Sequence, residues 1–152
     1  MDSFRGVDRR FDFKLKTDRI VFLSDYAHPP AEIAQSVKSV RELYRDKKIT
    51  AIFQPHLYTR TRDFYREFAN SLSLLDEVIL TDIYPAREQP TPGDSNRLIY
   101  DHLRPGIEKY LCRKEDVLSL LESKPIEVLI VLGAGDLDKY VPEISRLLEK
   151  RC

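Results

Sequence analysis

Val128-Leu129-Ile130-Val131-Leu132, running directly into Gly133-Ala134-Gly135-Asp136, is the stretch that decides the fold. Its apolar residues leave no polar side for water. From Val128 onward the expected strand, 126–132, therefore reads as buried on both faces, as a central strand of a parallel sheet is. The glycines that follow make a tight turn in which the backbone can approach something closely. Asp136 then opens an amphipathic helix carrying Val141, Ile144, Leu147 and Leu148.

The same grammar recurs three times upstream. Ile20-Val21-Phe22-Leu23 enters Ser24-Asp25-Tyr26-Ala27-His28, and Ala51-Ile52-Phe53 enters Gln54-Pro55-His56-Leu57-Tyr58-Thr59-Arg60-Thr61-Arg62. Val78-Ile79-Leu80 enters Thr81-Asp82-Ile83-Tyr84-Pro85-Ala86-Arg87-Glu88. Helical patterns separate these strands. Pro30 suits a first turn and precedes the stripe Ile33, Val37, Val40, Tyr44; Thr59 or Thr61 can cap the next helix, with Phe64, Phe68, Leu72 and Leu75 at helical spacing. Asp94 or Ser95 can cap a helix bearing Leu98, Ile99 and Leu103, followed by a strand over 107–112 and a short helix over 115–121. Near the N-terminus, Phe11, Phe13 and Leu15 alternate with Asp12, Lys14 and Lys16, as in a half-buried edge strand, and Thr17-Asp18 can turn it antiparallel onto the next. The expected architecture is a Rossmann-like, doubly wound α/β domain. It has about six mostly parallel strands, one antiparallel edge strand and helices on both faces.

Composition narrows the function. The chain has 152 residues, which fits one domain, and its 25 basic and 25 acidic residues cancel, so no global field favours nucleic acid or an anionic membrane. Two cysteines, Cys112 and Cys152, lack ligand spacing, which argues against zinc or a disulfide framework and makes a reducing cytoplasm the expected location. No apolar run reaches the roughly 18 residues of a membrane span, and Met1 to Gly6 has no signal-peptide core.

Ligands of open parallel sheets bind outside the carboxyl ends of the strands. Four loaded loops at that edge would pool their side chains there. Asp25 can accept two sugar hydroxyls and His28 can titrate near neutral pH, or both can simply cap the following helix. Arg60 and Arg62, beside His56 at a helix start, suit a carboxylate or phosphate, or can pair with Asp63, Glu67 or Glu88. The long Pro-containing loop 82–94 is either functional or a rigid surface turn. Gly133 to Asp136 is too short for a dinucleotide fingerprint and can be a capped helix start. The chain contains no G-x-x-x-x-G-K-[ST] loop, H-E-x-x-H, G-x-S-x-G or C-x-x-C.

Taken in order, F-x-G-V-x-R-R-F from Phe4, D-Y-A-H-x-P-x-E-I from Asp25, F-Q-P-H-x-Y-T-R-T-R-D from Phe53, D-I-Y-P-A-R-E from Asp82 and G-A-G-D from Gly133 resemble the C-terminal domain of the ATP-dependent Mur ligases, on the branch that joins L-alanine to UDP-N-acetylmuramate. The resemblance implies a cytoplasmic peptidoglycan-precursor enzyme in which N-terminal and central domains, absent here, hold the uridine nucleotide, the phosphate loop and Mg2+. It makes residues 1–10 a linker from the central domain and 11–152 the C-terminal domain. It implies an acyl phosphate attacked by the amine of L-alanine, with this domain positioning the amino acid and covering ATP, and it implies that the chain alone is inactive. By position it gives Asp25 to the ATP ribose, and Arg60, His28, Tyr26 and His56 to the amino acid. Arg62, Gly133 and Asp136 would support them. Ser24, Pro29 and Leu57 depart from the family pattern; with Leu57 where an Arg is usual, the carboxylate falls to Arg60 alone or with Arg62. Two other readings compete: a stand-alone Rossmann-like module that binds a nucleotide or partner without catalysis, and a ligase that recycles whole tripeptide.

Overall fold

The computed structural model describes residues 12–25, 27, 29–84, 96–133 and 136–151. The expected linker 1–10 and the caps Asp94 and Ser95 lie outside them. Six strands form one sheet in the order β1-β2-β6-β3-β4-β5, with β1 (Asp12–Lys16), β2 (Val21–Asp25), β3 (Ile49–Phe53), β4 (Glu77–Leu80), β5 (Glu108–Leu111) and β6 (Val128–Leu132). Only β1 runs antiparallel; β6 lies between β2 and β3, parallel to both and buried throughout, as its unbroken apolar run requires.

The chain steps from β2 to β3, β4 and β5 through α1 (Pro30–Leu43), α2 (Tyr58–Leu72) and α3 (Arg97–His102). It then reverses direction to reach β6 through α4 (Val117–Glu122) and leaves it through α5 (Val141–Glu149). A constant crossover hand makes that reversal switch faces. Accordingly Ile33, Val37, Phe68, Leu72 and Ile99 share one buried core, whereas Val117, Leu121, Val141, Ile144 and Leu148 share the other. Residues of β6 alternate between them: Val128, Ile130 and Leu132 face the first, Leu129 and Val131 the second.

Several local expectations are corrected. Phe13 and Leu15 do not share a face. Phe13 pairs with Leu23 and Leu15 with Phe22, so the register shifts at Lys14, leaving Phe13 exposed and Leu15 packed on the second core. Neither Thr59 nor Thr61 is the N-cap of α2; that position is Leu57. Phe64 sits in a kink of α2 with non-helical φ −127° and is exposed, so the apolar stripe continues only through Phe68, Leu72 and Leu75. Residues 114–116 and 136–140 are 3-10 turns leading into α4 and α5.

Candidate functional site

At the carboxyl edge of the sheet, the loops after β2 and β3 leave toward one face and the loop after β6 toward the other, which opens a crevice around the end of β6. Backbone bonds make its rim continuous. The Gly133 amide donates to the Asp25 carbonyl at 3.3 Å, the Gln54 amide to Leu132 at 3.1 Å, and the Thr81 amide to Phe53 at 3.1 Å.

Gly133 has φ +126°, and a Cβ on it would stand 2.7 Å from the Gln54 carbonyl oxygen. What its missing side chain admits is the end of β3. Gln54 is 1% exposed, and its Oε1 accepts the Leu137 amide at 3.0 Å, so one residue pins the loops after β3 and β6 together. Only its position directly after the buried Phe53 hinted at this in the sequence, since its partner lies 83 positions away.

Asp25 is also 1% exposed, and its Oδ1 accepts the Ala27 amide at 3.0 Å. This is an Asx-type turn, so the carboxylate shapes its own loop. Tyr26 and His28 lie outside the described residues, as do residues 85–95, residues 134–135 and the side chain of Asp136. No side chain caps the N-terminus of α5, whose N-cap position is Tyr140.

The second loop is tied to the third by a one-residue parallel bridge between His56 and Tyr84. The Tyr84 amide donates to the Pro55 carbonyl and the Leu57 amide to the Tyr84 carbonyl, each at 2.8 Å. The His56 and Tyr84 rings stack with centroids 5.6 Å apart. The next residue, Leu57, has φ +72° and ψ 137°, a conformation that L-residues avoid and that concentrates at functional sites. Its carbonyl accepts both the Thr61 amide at 3.1 Å and the Thr61 hydroxyl at 2.9 Å. Helix α2 therefore starts abruptly at Tyr58, with no side chain capping it and no acidic residue in its first turn. Nothing of its own offsets the positive end of its dipole.

Arg60 stands on that first turn, half-buried; among the described residues no carboxylate pairs with it. Arg62 behaves differently. It is exposed and its Nε meets Asp63 at 3.2 Å, the solvated pairing that the sequence also allowed. Beside Tyr58, a hollow of about 160 Å³ is bordered by Asp82, Ile83 and Asn96. Asp82 Oδ1 accepts the Lys114 amide at 3.0 Å, and Asn96 donates to the Thr81 carbonyl at 2.9 Å, so both also hold the loops in place.

A larger basin of about 650 Å³ lies at the opposite edge and includes Arg41, Lys48 and Asp76. Its named charges are paired: Arg41 meets Asp76 at 3.1 Å and donates to the carbonyls of Leu74, Tyr44, Arg45 and Lys47, and Lys48 meets Glu108 at 2.9 Å. Among the described residues no cluster of His, Cys, Asp and Glu could hold a metal ion, and no helix is long and apolar enough to cross a membrane. Cys112 is a weak nucleophile, because burial, aided by Asp116 and Asp82, pushes its thiol up to about 11.

The sequence matches the family model of the Mur ligase, glutamate ligase domain, over residues 9–136. It is 73% identical over 151 residues to the UDP-N-acetylmuramate–L-alanine ligase of Phocaeicola vulgatus and 54% identical to that of Parabacteroides distasonis, covering 99% of this chain in both. Those matches span 33% and 32% of the relatives, so the chain corresponds to about a third of their length. The crystal structure of the UDP-N-acetylmuramate-alanine ligase of Thermotoga maritima superposes with a TM-score of 0.75 at 31% identity, over 99% of this chain and 32% of that one. A murein peptide ligase from Psychrobacter arcticus shares the fold alone, with a TM-score of 0.71 at 17% identity, over 92% of this chain and 30% of that one. The motif order, the sheet and these relatives agree: the chain belongs to the Mur ligase family, as its C-terminal glutamate ligase domain.

Proposed function

We propose that this chain is the amino-acid-positioning, ATP-covering domain of a cytoplasmic ligase that joins L-alanine to UDP-N-acetylmuramate in peptidoglycan precursor synthesis. The observation that carries the reading is Arg60. A half-buried arginine with no carboxylate partner among the described residues stands on the acid-free first turn of α2, at the edge where this sheet type binds ligands. A guanidinium fork and a helix N-terminus together favour a carboxylate. In the proposed reaction ATP phosphorylates the muramoyl carboxylate, the amine of L-alanine attacks the acyl phosphate, and phosphate leaves. Arg60 holds the alanine carboxylate so that the amine points at the acyl carbon, with His28, Tyr26 and His56 assigned to the same amino acid. Closure of the domain over the nucleotide excludes water from the acyl phosphate.

The chain fits ATP only in part. One oxygen of Asp25, Oδ1, serves its own turn, and the other is assigned to the ribose. The described residues offer nothing to Mg2+. Phosphate and metal binding are therefore assigned to the remaining two thirds of the length seen in the relatives, and the chain alone should neither hydrolyse ATP nor ligate.

The test replaces the matching third of the Phocaeicola vulgatus ligase with this chain. Arg60→Ala should raise the KM for L-alanine by about 10- to 100-fold, the loss of one charge-assisted contact. The KM for ATP should stay within about twofold, since only the amino-acid contact is lost. Unchanged alanine kinetics would refute the role given to Arg60, and a chimaera that folds without ligase activity would favour a non-catalytic binding module.

A further inference from the structure

We propose that Thr61 is a positioning residue for the carboxylate-binding arginine. Its buried hydroxyl grips the Leu57 carbonyl and so holds the strained peptide from which the first turn of α2, with Arg60 on it, is launched. This inference rests on the assignment of Arg60 to the amino-acid carboxylate.

Three observations place Thr61 at the strained peptide. Leu57 occupies φ +72°, ψ 137° with no glycine to make that easy. Such a conformation costs about 1–3 kcal/mol and persists only where its surroundings over-determine it. The surroundings here are three hydrogen bonds: the Leu57 amide to Tyr84 at 2.8 Å on one side, and the Thr61 amide and hydroxyl to the Leu57 carbonyl at 3.1 and 2.9 Å on the other. Thr61 is 0% exposed, so its hydroxyl cannot exchange that partner for bulk water.

Arg60 immediately precedes Thr61 and lies within the same helical turn as the clamped carbonyl. A tilt of that turn moves the guanidinium directly. A binding group held loosely by about 1 Å loses much of its effect. No side-chain cap braces the turn in place of Thr61.

Kinetics in the Phocaeicola vulgatus chimaera test this. Thr61→Val keeps the shape and removes the hydroxyl, whereas Thr61→Ser keeps the hydroxyl. Thr61→Val should raise the KM for L-alanine about tenfold with little change in the KM for ATP, and Thr61→Ser should restore it. In an Arg60→Ala background, Thr61→Val should add less than about twofold, because the two residues act as one unit. If Arg60→Ala raises the alanine KM and Thr61→Val does not, or if the two effects multiply, the positioning role is overturned while the assignment of Arg60 stands. If Arg60→Ala has no effect, both fall. An independent reading comes from the 152-residue chain itself. Amide exchange at Thr61 should quicken about tenfold in Thr61→Val and not in Thr61→Ser. Unchanged exchange in Thr61→Val would also overturn the role.

Discussion

Replacing Gly133 with alanine should be among the most damaging single-methyl additions this fold can receive. Two penalties combine. At φ +126° an L-residue is strained by about 1–3 kcal/mol. The new Cβ, 2.7 Å from the Gln54 carbonyl, meets backbone that can yield only if β3 and β6 part at their ends. Parting strains the Gln54 amide bond to Leu132 and the Leu137 amide bond to Gln54 Oε1, each worth about 1 kcal/mol. The sum is about 3–5 kcal/mol, a large share of the roughly 5–15 kcal/mol that holds a domain folded. Gly106 supplies the control, because its φ is also positive, +88°, but nothing lies within 4 Å of its Cβ position. Gly106→Ala should therefore cost only about 1 kcal/mol of conformational strain. Urea denaturation of the chain, with the slope unchanged, reads both directly. In melting temperature the two variants should fall by roughly 10 °C and 3 °C. Equal losses would refute the reasoning, because the close approach to Gln54 would then contribute nothing.

Two further outcomes follow from buried groups. In a Cys152→Ser background, Cys112 should alkylate at pH 8 about a hundredfold more slowly than an ordinary thiol, because a pKa of about 11 against 9.0 leaves that much less thiolate; equal rates would mean that it is not enclosed. The same shift means that the folded state holds the thiol proton more tightly, so stability from this group is complete below pH 9 and declines as pH rises toward 11. Glu77 is 0% exposed, accepts the Thr50 hydroxyl at 3.0 Å and meets Lys124 at 2.6 Å. Glu77→Ala leaves Lys124 without its partner and should cost about 3–5 kcal/mol in denaturation, whereas Glu77→Leu with Lys124→Met should recover most of it. A single-variant loss below about 1 kcal/mol would show the pair to be well solvated.

The sheet was legible because its strands are uniform inside and abruptly polar at one end. Val128 to Leu132 could only be central, and Asp25, His56 and Arg60 were placed at the carboxyl edge by their position just after apolar runs. What the sequence hid depended on partners far along the chain or on conformations that residue types do not advertise. Leucine gives no sign of the positive φ that makes Leu57, rather than Thr59 or Thr61, the N-cap of α2. Phe64 keeps the helical period yet turns outward, because a local kink breaks the phase on which the period relies. Phe13 and Leu15 alternate perfectly, and one extra residue at Lys14 sends them to opposite faces. The role of Gln54 is set by Gly133 and Leu137, which lie far along the chain from it.

The position of β6 has a consequence for biosynthesis. Within the sheet β2 pairs only with β1 and β6, and β3 only with β4 and β6, so the strand that joins the two parts is translated last. Until the ribosome has released Val128 to Leu132, a hairpin and a three-stranded half-sheet each carry a naked apolar border, inviting mispairing between nascent copies. Closing that gap joins segments about a hundred residues apart, a slow step for a chain of this size. A stop codon ahead of Val128 would leave one chain with two sticky sheet edges instead of a shortened domain.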